Sequence, residues 1–396
     1  MSEQSQVIDA TANTEHVAAP DYLKRKYRWG ESLIQMFLFA CSALSIFTTG
    51  FIIYVLLVEA TQFFTEQLLE NTNRTFTFDV AADQTTIRIS TSGFQLQVGD
   101  EIKVGEEEMF ILSVTADTIV VERGVSGTTA VAHPSGATIF RVSRATFGEF
   151  FTSTTWIPQL GRFGVWPLLN ATAMTSTIAM LVAMPLGLAT AIFLREYASD
   201  RLRNILKPML EILAGIPTVV YGYFALTFIT PVILQSIFGS SVVDIYNTAA
   251  AGITIGILTL PVVATLAEDA LAAVPDSLRE ASYALGATRF ETALQVVVPG
   301  ALSGIIAAFI LAASRAVGET MIVALAAGAG PNFTFNPFKG AETITGHIVR
   351  ISGGDLPYGT IDYRSLFALG LLLFFITLVM NIISRFIVAR FQEKYD

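Results

Sequence analysis

The run Ala312-Ala313-Ser314-Arg315-Ala316-Val317-Gly318-Glu319-Thr320-Met321 sets an arginine and a glutamate four residues apart in an otherwise apolar stretch. At helical spacing the two share one face. A charge at membrane depth costs roughly 2.5 to 3.5 kcal/mol on insertion scales, so such a residue marks a substrate or ion pathway by default. The guanidinium of Arg315 is a planar fork that suits a carboxylate or a phosphate. Glu319 would position it and weaken its hold on a passing anion, and Ser314 and Thr320 would add hydroxyl donors. The alternative is a self-satisfied ion pair that only orients its helix.

A second constellation lies just upstream. Pro275-Asp276-Ser277-Leu278-Arg279-Glu280-Ala281-Ser282-Tyr283-Ala284-Leu285-Gly286 is followed by Ala287-Thr288-Arg289-Phe290-Glu291 and a run to Val298-Pro299. Ser277 with Glu280, and Thr288 with Glu291, read as capping boxes that start two helices. Gly286 stands where the first should end in a left-handed residue, and Pro299 should stop the second. The expectation is helix, glycine corner, helix. Small residues on the first helix would let it enter a partner's groove, whereas the plainer reading is a self-contained hairpin on the membrane's inner surface.

The elements that must hold these residues are membrane spans. The chain has 396 residues, 53% of them hydrophobic and 14% charged, with a mean hydropathy of +0.58. Soluble proteins carry about 25% charged residues, so neither a wholly soluble globule nor a disordered chain fits. Six stretches are uncharged: residues 32–58, 163–194, 212–243, 245–267, 292–314 and 365–384. Each supplies the roughly 20 residues that a 30 Å hydrocarbon core requires. The fifth would continue past Arg315 and Glu319 to Ala329. Pro185, Gly187, Gly215, Pro217, Gly222 and Pro261 fall inside spans as packing and bend sites. The first stretch is too long for a secretion signal and reads as an anchor. Lys24, Arg25, Lys26 and Arg28 before it place the N-terminus in the cytoplasm. Alternation then puts Arg195, Arg201, Arg203 and Lys207 inside, followed by Arg279 and Arg289, and finally Arg385, Arg390 and Lys394, so both termini are cytoplasmic.

Between the first two spans, residues 59–162 form an expected extracytoplasmic region. Within 75–142, short alternating runs such as Glu101-Ile102-Lys103-Val104 and Thr118-Ile119-Val120-Val121 are separated by turn residues. They predict a small antiparallel β-barrel or roll. Residues 59–161 hold 13 acidic and 6 basic side chains, a net −7 that would repel a small anion. The insertion is either a docking platform for an outside partner or a stabilising module. Residues 1–31 make a cytoplasmic tail, whose first 22 residues are acidic and read as a solvated leader. The overall net charge of −9 does not suggest nucleic acid as a partner. Cys41 is alone, and His16, His133 and His347 have no metal-ligand spacing. No Gly-x-x-x-x-Gly-Lys-Ser/Thr loop exists to cradle nucleotide phosphates, so the ATPase is not expected in this chain; no catalytic residue and no bound cofactor is expected of it either. Ile351-Ser352-Gly353-Gly354-Asp355 looks like an ATPase signature only by coincidence, since topology places it outside.

The spacing Glu280-Ala281-Ser282, three residues, Gly286, nine residues, Val296-x-Val298-Pro299 resembles the EAA loop of ABC-importer permeases. The resemblance implies that Glu280, Ala281, Ser282 and Gly286 couple the chain to a separate ATPase subunit, which uses the ATP. Arg315 to Thr320 is similar to the permeases of phosphate-specific (Pst) transporters. Trp156-x-Pro158, Phe163-Gly164, Thr175-Ser176, Pro185-Leu186-Gly187 and Ser365 to Gly370 resemble the PstC type more than the PstA type. The implied fold is an all-α membrane protein, with six transmembrane helices of the type I (MetI-like) importer permease and an inserted β domain. The core would be residues 163–396, with the coupling loop at 275–299. The implied activity is inorganic phosphate import across a bacterial inner membrane. The implied partners are a PstA-like permease, a PstB-like ATPase dimer and a PstS-like phosphate-binding protein. Import of sulfate, molybdate or phosphonate, a membrane sensor and a proton-coupled carrier are the competing expectations.

Overall fold

The computed structural model describes residues 29–65, 67–143, 145–158, 161–354 and 360–391. The acidic leader, the basic group Lys24 to Arg28, Asp355 and Lys394 lie outside them. The chain divides into two units, one up to Tyr54 and one from Val55. Helix α1 (Trp29–Thr65) runs through the division. In the first unit its apolar side chains, among them Phe37, Phe39, Ile46 and Phe47, are exposed. An α-helix apolar all round is stable in that state only in lipid.

Five helices are long and apolar enough to cross a membrane: α1, α3 (Trp166–Tyr197), α5 (Thr218–Phe238), α6 (Thr248–Ala272) and α12 (Ile361–Phe391). A bent pair, α8 (Arg289–Gly300) and α9 (Leu302–Val317), makes up to six. Two expected spans change. The third begins at Thr218 rather than 212, because Gly215 caps a separate helix, α4 (Asp200–Ala214), and Pro217 caps α5. Lys207 on α4 reaches Glu268 and Asp269 at the end of α6, at 2.6 and 3.1 Å. The fifth does not run straight from 292. Pro299 does not stop α8, which continues to Gly300; the chain turns by 74° at Ala301 and α9 starts beyond it.

Helix α6 is the centre of the bundle, packed on α3 and α9. Its approach to α3 depends on missing side chains. A Cβ on Gly256 would lie 2.7 Å from Val182 Cβ and 2.8 Å from the Ala179 carbonyl. Between lipid-embedded helices, where burial from water gives no drive, such close backbone approach is what allows dispersion contacts to accumulate. Ala179, Ala183, Ala251, Ile255 and Leu258 fill the seam.

The insertion begins earlier than the expected residue 75. Its strands are β1 (Leu68–Thr75), β2 (Thr86–Arg88), β3 (Glu101–Val104), β4 (Glu107–Val114), β5 (Thr118–Arg123) and β6 (Thr138–Ser143). They form one antiparallel sheet in the order β1-β6-β3-β4-β5-β2. A bridge between Phe76 and Ile89 joins the two edges, so the sheet closes on itself. Ile87, Ile102, Met109, Ile111, Ile119 and Ile139 alternate inward to form its core. A buried, fully partnered carboxylate, Glu107, sits there too. Glu107 receives Arg123 through Nε and Nη2 at 2.6 and 2.7 Å, His133 Nε2 at 2.8 Å and the Val131 N–H at 3.0 Å. Helix α2 (Phe147–Thr152) and a short hairpin, β7 (Trp156–Ile157) with β8 (Arg162–Phe163), lead from the insertion into α3.

Candidate functional site

Helix α9 buries Ile305, Ala308, Ala312 and Ala316 on one stripe and leaves Leu311, Arg315 and Gly318 exposed on another. The guanidinium is therefore on the open face of the span, in its last turn, and makes no ion pair among the described residues. The helix does not carry Glu319 along with it. Gly318 ends α9, and a new helix, α10 (Met321–Ala326), starts after the break. The expected i, i+4 pair on one face is thus corrected. Glu319 is buried, its Oε1 accepts the N–H groups of Met321 and Ile322 at 3.2 and 3.4 Å, and its carboxylate caps α10. This satisfies donors that the first turn of a helix leaves without partners, at the end of the helix where negative charge is favourable. Thr320 is not a free donor either, because its hydroxyl donates to the Gly318 carbonyl at 3.1 Å. Ser314 is half-buried on α9.

The break is held from outside by α11 (Ile344–Ser352), whose Thr345 hydroxyl donates to the Glu319 carbonyl at 2.6 Å. Further along α11 stands a cluster that the sequence did not single out. Buried Glu342 accepts Arg350 Nε and Nη2 at 2.6 and 3.0 Å and the Gly330 N–H at 3.1 Å. His347 Nδ1 lies 3.3 Å from the same carboxylate. Burial opposes ionisation of Glu342, but the hydrogen bonds of His347 and Arg350 outweigh it and hold the carboxyl below its ordinary range. Trp156 Nε1 is 3.1 Å from His347 Nε2. An indole N–H can only donate, so Nε2 accepts and the ring proton sits on Nδ1, towards Glu342. The network ties β7 to α11 and thereby to the break. His347 and Arg350 at i, i+3, with an acid just ahead of the helix, was the available signal.

At the opposite end of the bundle, α7 (Asp276–Ala284) and α8 form the expected hairpin. Gly286 has φ +87°, and Thr288 with Glu291 makes the reciprocal capping box. The box expected at Ser277 does not form, because Pro275 takes the N-cap and Ser277 lies inside the helix. Glu280, Ala281 and Gly286 are exposed, whereas Ser282 is turned inward and bonds Thr292 at 2.9 Å, joining the two helices. The tip presents Leu285, 90% exposed, and Phe290, 62% exposed. The hairpin is fastened by Arg279. It donates to the Leu271 and Val274 carbonyls at 2.7 and 2.6 Å and to Glu196 at the end of α3 at 3.2 Å.

Residues 183–395 match the family described as binding-protein-dependent transport system inner membrane component. The chain is 34% identical over 279 residues to the probable ABC transporter permease protein YqgH of Bacillus subtilis, covering 70% of this chain and 89% of that protein. It is 34% identical over 268 residues to the phosphate transport system permease protein PstC of Mesorhizobium japonicum, covering 63% and 81%. Among solved structures, an inward-facing MetNI methionine ABC transporter aligns with a TM-score of 0.43 at 22% identity, over 58% of this chain and 95% of that one.

Proposed function

Because the chain belongs to the binding-protein-dependent transport system inner membrane components, we propose that it is one of two permease subunits of an ATP-driven importer of inorganic phosphate. The substrate rests on relatives named as phosphate transport permeases. The partners are a PstA-like permease, a PstB-like ATPase dimer and a PstS-like binding protein. The ATPase binds and hydrolyses the ATP, and this chain holds no cofactor. Both termini lie in the cytoplasm with the α7–α8 hairpin, and the β insertion faces outward.

The observation that carries this reading is the hairpin, whose apolar tip is open to a partner while Arg279 fastens its base to the ends of α3 and α6. Closure of the ATPase pushes on α7. The push travels through Arg279 into α3 and α6, and through α8 and its 74° corner into α9. Helix α9 has 16 residues, a rod of about 24 Å, and its far end carries Arg315. Rigid helices sharing one pivot favour switching between two arrangements over local distortion. In one arrangement Arg315 faces the outside and in the other the inside, on the surface that the partner permease covers. An exposed guanidinium without a carboxylate partner attracts an oxyanion and can release it.

The test is ATP-dependent phosphate uptake by the four-component transporter in proteoliposomes. Arg315→Ala is expected to reduce uptake at least tenfold, and Arg315→Lys to keep part of it. Unchanged uptake by Arg315→Ala sinks the assigned role. Failure of a nucleotide-binding subunit to co-purify in fixed ratio sinks the importer reading itself.

A further inference from the structure

A cavity of about 320 Å³ lies between the β insertion and the β7–β8 hairpin. Two guanidinium groups line it, Arg141 from β6 and Arg162 from β8, with the hydroxyl residues Ser153 and Thr155. Its single carboxylate is engaged: Asp100 Oδ1 lies 3.2 Å from Arg141 Nη2, and Oδ2 accepts the Gln97 N–H at 2.8 Å. Phe94 supports the Arg141 guanidinium, 5.4 Å from its ring centre. Arg162 is exposed and makes no ion pair among the described residues. The cleft therefore holds one positive charge in excess, beside a module whose net charge is −7.

We infer that this cleft binds a small oxyanion, which on the phosphate reading above is inorganic phosphate. A cation would meet the excess positive charge, and an apolar ligand would have to desolvate three charged groups. An oxyanion finds a free guanidinium fork, a second guanidinium held in place by ring and carboxylate, and hydroxyl donors. The acidic surroundings keep anions off the rest of the insertion and leave this one attractive spot. The cleft also leads somewhere. Thr155 and Ile157 line it and equally line a neighbouring cavity of about 420 Å³, whose wall includes the half-exposed Arg350. The insertion thereby acquires a role as one wall of the outer substrate route.

The test is equilibrium dialysis of radiolabelled inorganic phosphate against the purified permease–ATPase complex, without binding protein, over a range of ionic strength. Each variant is also measured in the Arg315→Ala background so that the two sites separate. Arg162→Gln is expected to weaken binding about tenfold and to flatten its salt dependence. Arg162→Lys should stay within about threefold of the parent, and Thr155→Val should weaken binding less than Arg162→Gln. Unchanged thermal unfolding shows that the hairpin is intact. Phosphate binding by Arg162→Gln equal to the parent overturns the inference. So does a variant that loses docking of the binding protein while keeping phosphate, since the cleft would then receive an acidic segment of that partner. A parent complex that binds sulfate or molybdate and not phosphate defeats the substrate reading instead, and the same variants measured with that anion decide the cleft.

Discussion

Replacing Arg279 by alanine should separate ATP hydrolysis from transport. The side chains of Arg279 and Glu196 are 8% and 5% exposed, so the contact between them is nearly dry. The substitution strips one donor from each of two carbonyls, Leu271 and Val274, and leaves the Glu196 carboxylate without this partner. Each hydrogen bond lost from a carbonyl costs about 1 kcal/mol, and removing one member of a buried ion pair costs about 3 to 5 kcal/mol. The terms overlap, and about 4 kcal/mol is a reasonable total, close to a thousandfold in a local equilibrium. The loss falls on the joint between the hairpin and the ends of α3 and α6, not on the bundle core, so the hairpin detaches while the spans remain packed. In proteoliposomes the variant should hydrolyse ATP yet move at least tenfold less phosphate per ATP. Hydrogen exchange over residues 276–297 should rise. Arg279→Lys keeps the charge beside Glu196 but cannot reach both carbonyls, and it should fall between. Parental phosphate per ATP together with unchanged exchange in Arg279→Ala would refute the argument.

Two further outcomes follow from the packing. Burial opposes ionisation of Glu107, but hydrogen bonds from Arg123, Val131 and His133 overcome it and bring its carboxyl from 4.5 to about 2. A depressed carboxyl stabilises the fold fully above about pH 4.5 and loses that contribution as the pH falls towards 2, about 3 kcal/mol in all. Amide protection at Gly124 and Val131, both donors to Glu107, should drop over that window, and Glu107→Gln should show the loss already at neutral pH. Flat protection down to pH 2 would contradict this. Gly256→Ala forces α3 and α6 apart or Val182 out of place, at about 1 to 3 kcal/mol. The purified chain should unfold at a lower temperature, and an unchanged midpoint would mean that the seam is looser than its geometry.

Much of the architecture was legible because its causes are local or one-dimensional. An uncharged run of 20 or more residues has few stable destinations besides lipid, so α1, α3, α6 and α12 were visible as spans. The corner at Gly286 and the cap at Thr288 were visible because each involves atoms only a few residues apart. The same reasoning misplaced the cap at Ser277, where Pro275 supplied a rigid start two residues earlier. It also ran the third and fifth spans too far, since an apolar run does not reveal that a helix turns at Gly215 or at Ala301.

Composition, period and spacing were enough for the membrane spans, the helix–glycine–helix hairpin after the fourth of them, the inserted β module and the placing of Arg315 and Glu319 in the fifth apolar run. The permease reading and the coupling role of the hairpin came from the resemblance to importer permeases, not from those patterns. What the charged groups do depends on the folded arrangement around them. Arg315 and Glu319 look like a pair in one dimension, but Gly318 ends the helix between them, and Glu319 turns to the N–H groups of α10 while Arg315 stays open. Arg279 reads as an ordinary charge on a surface helix until α3 and α6 bring Glu196 and two carbonyls to it. Trp156 and His347 are 191 residues apart, and Arg141 and Arg162 lie on different sheets. A charge takes its role from the partners folded around it, and most of those partners are distant along the chain.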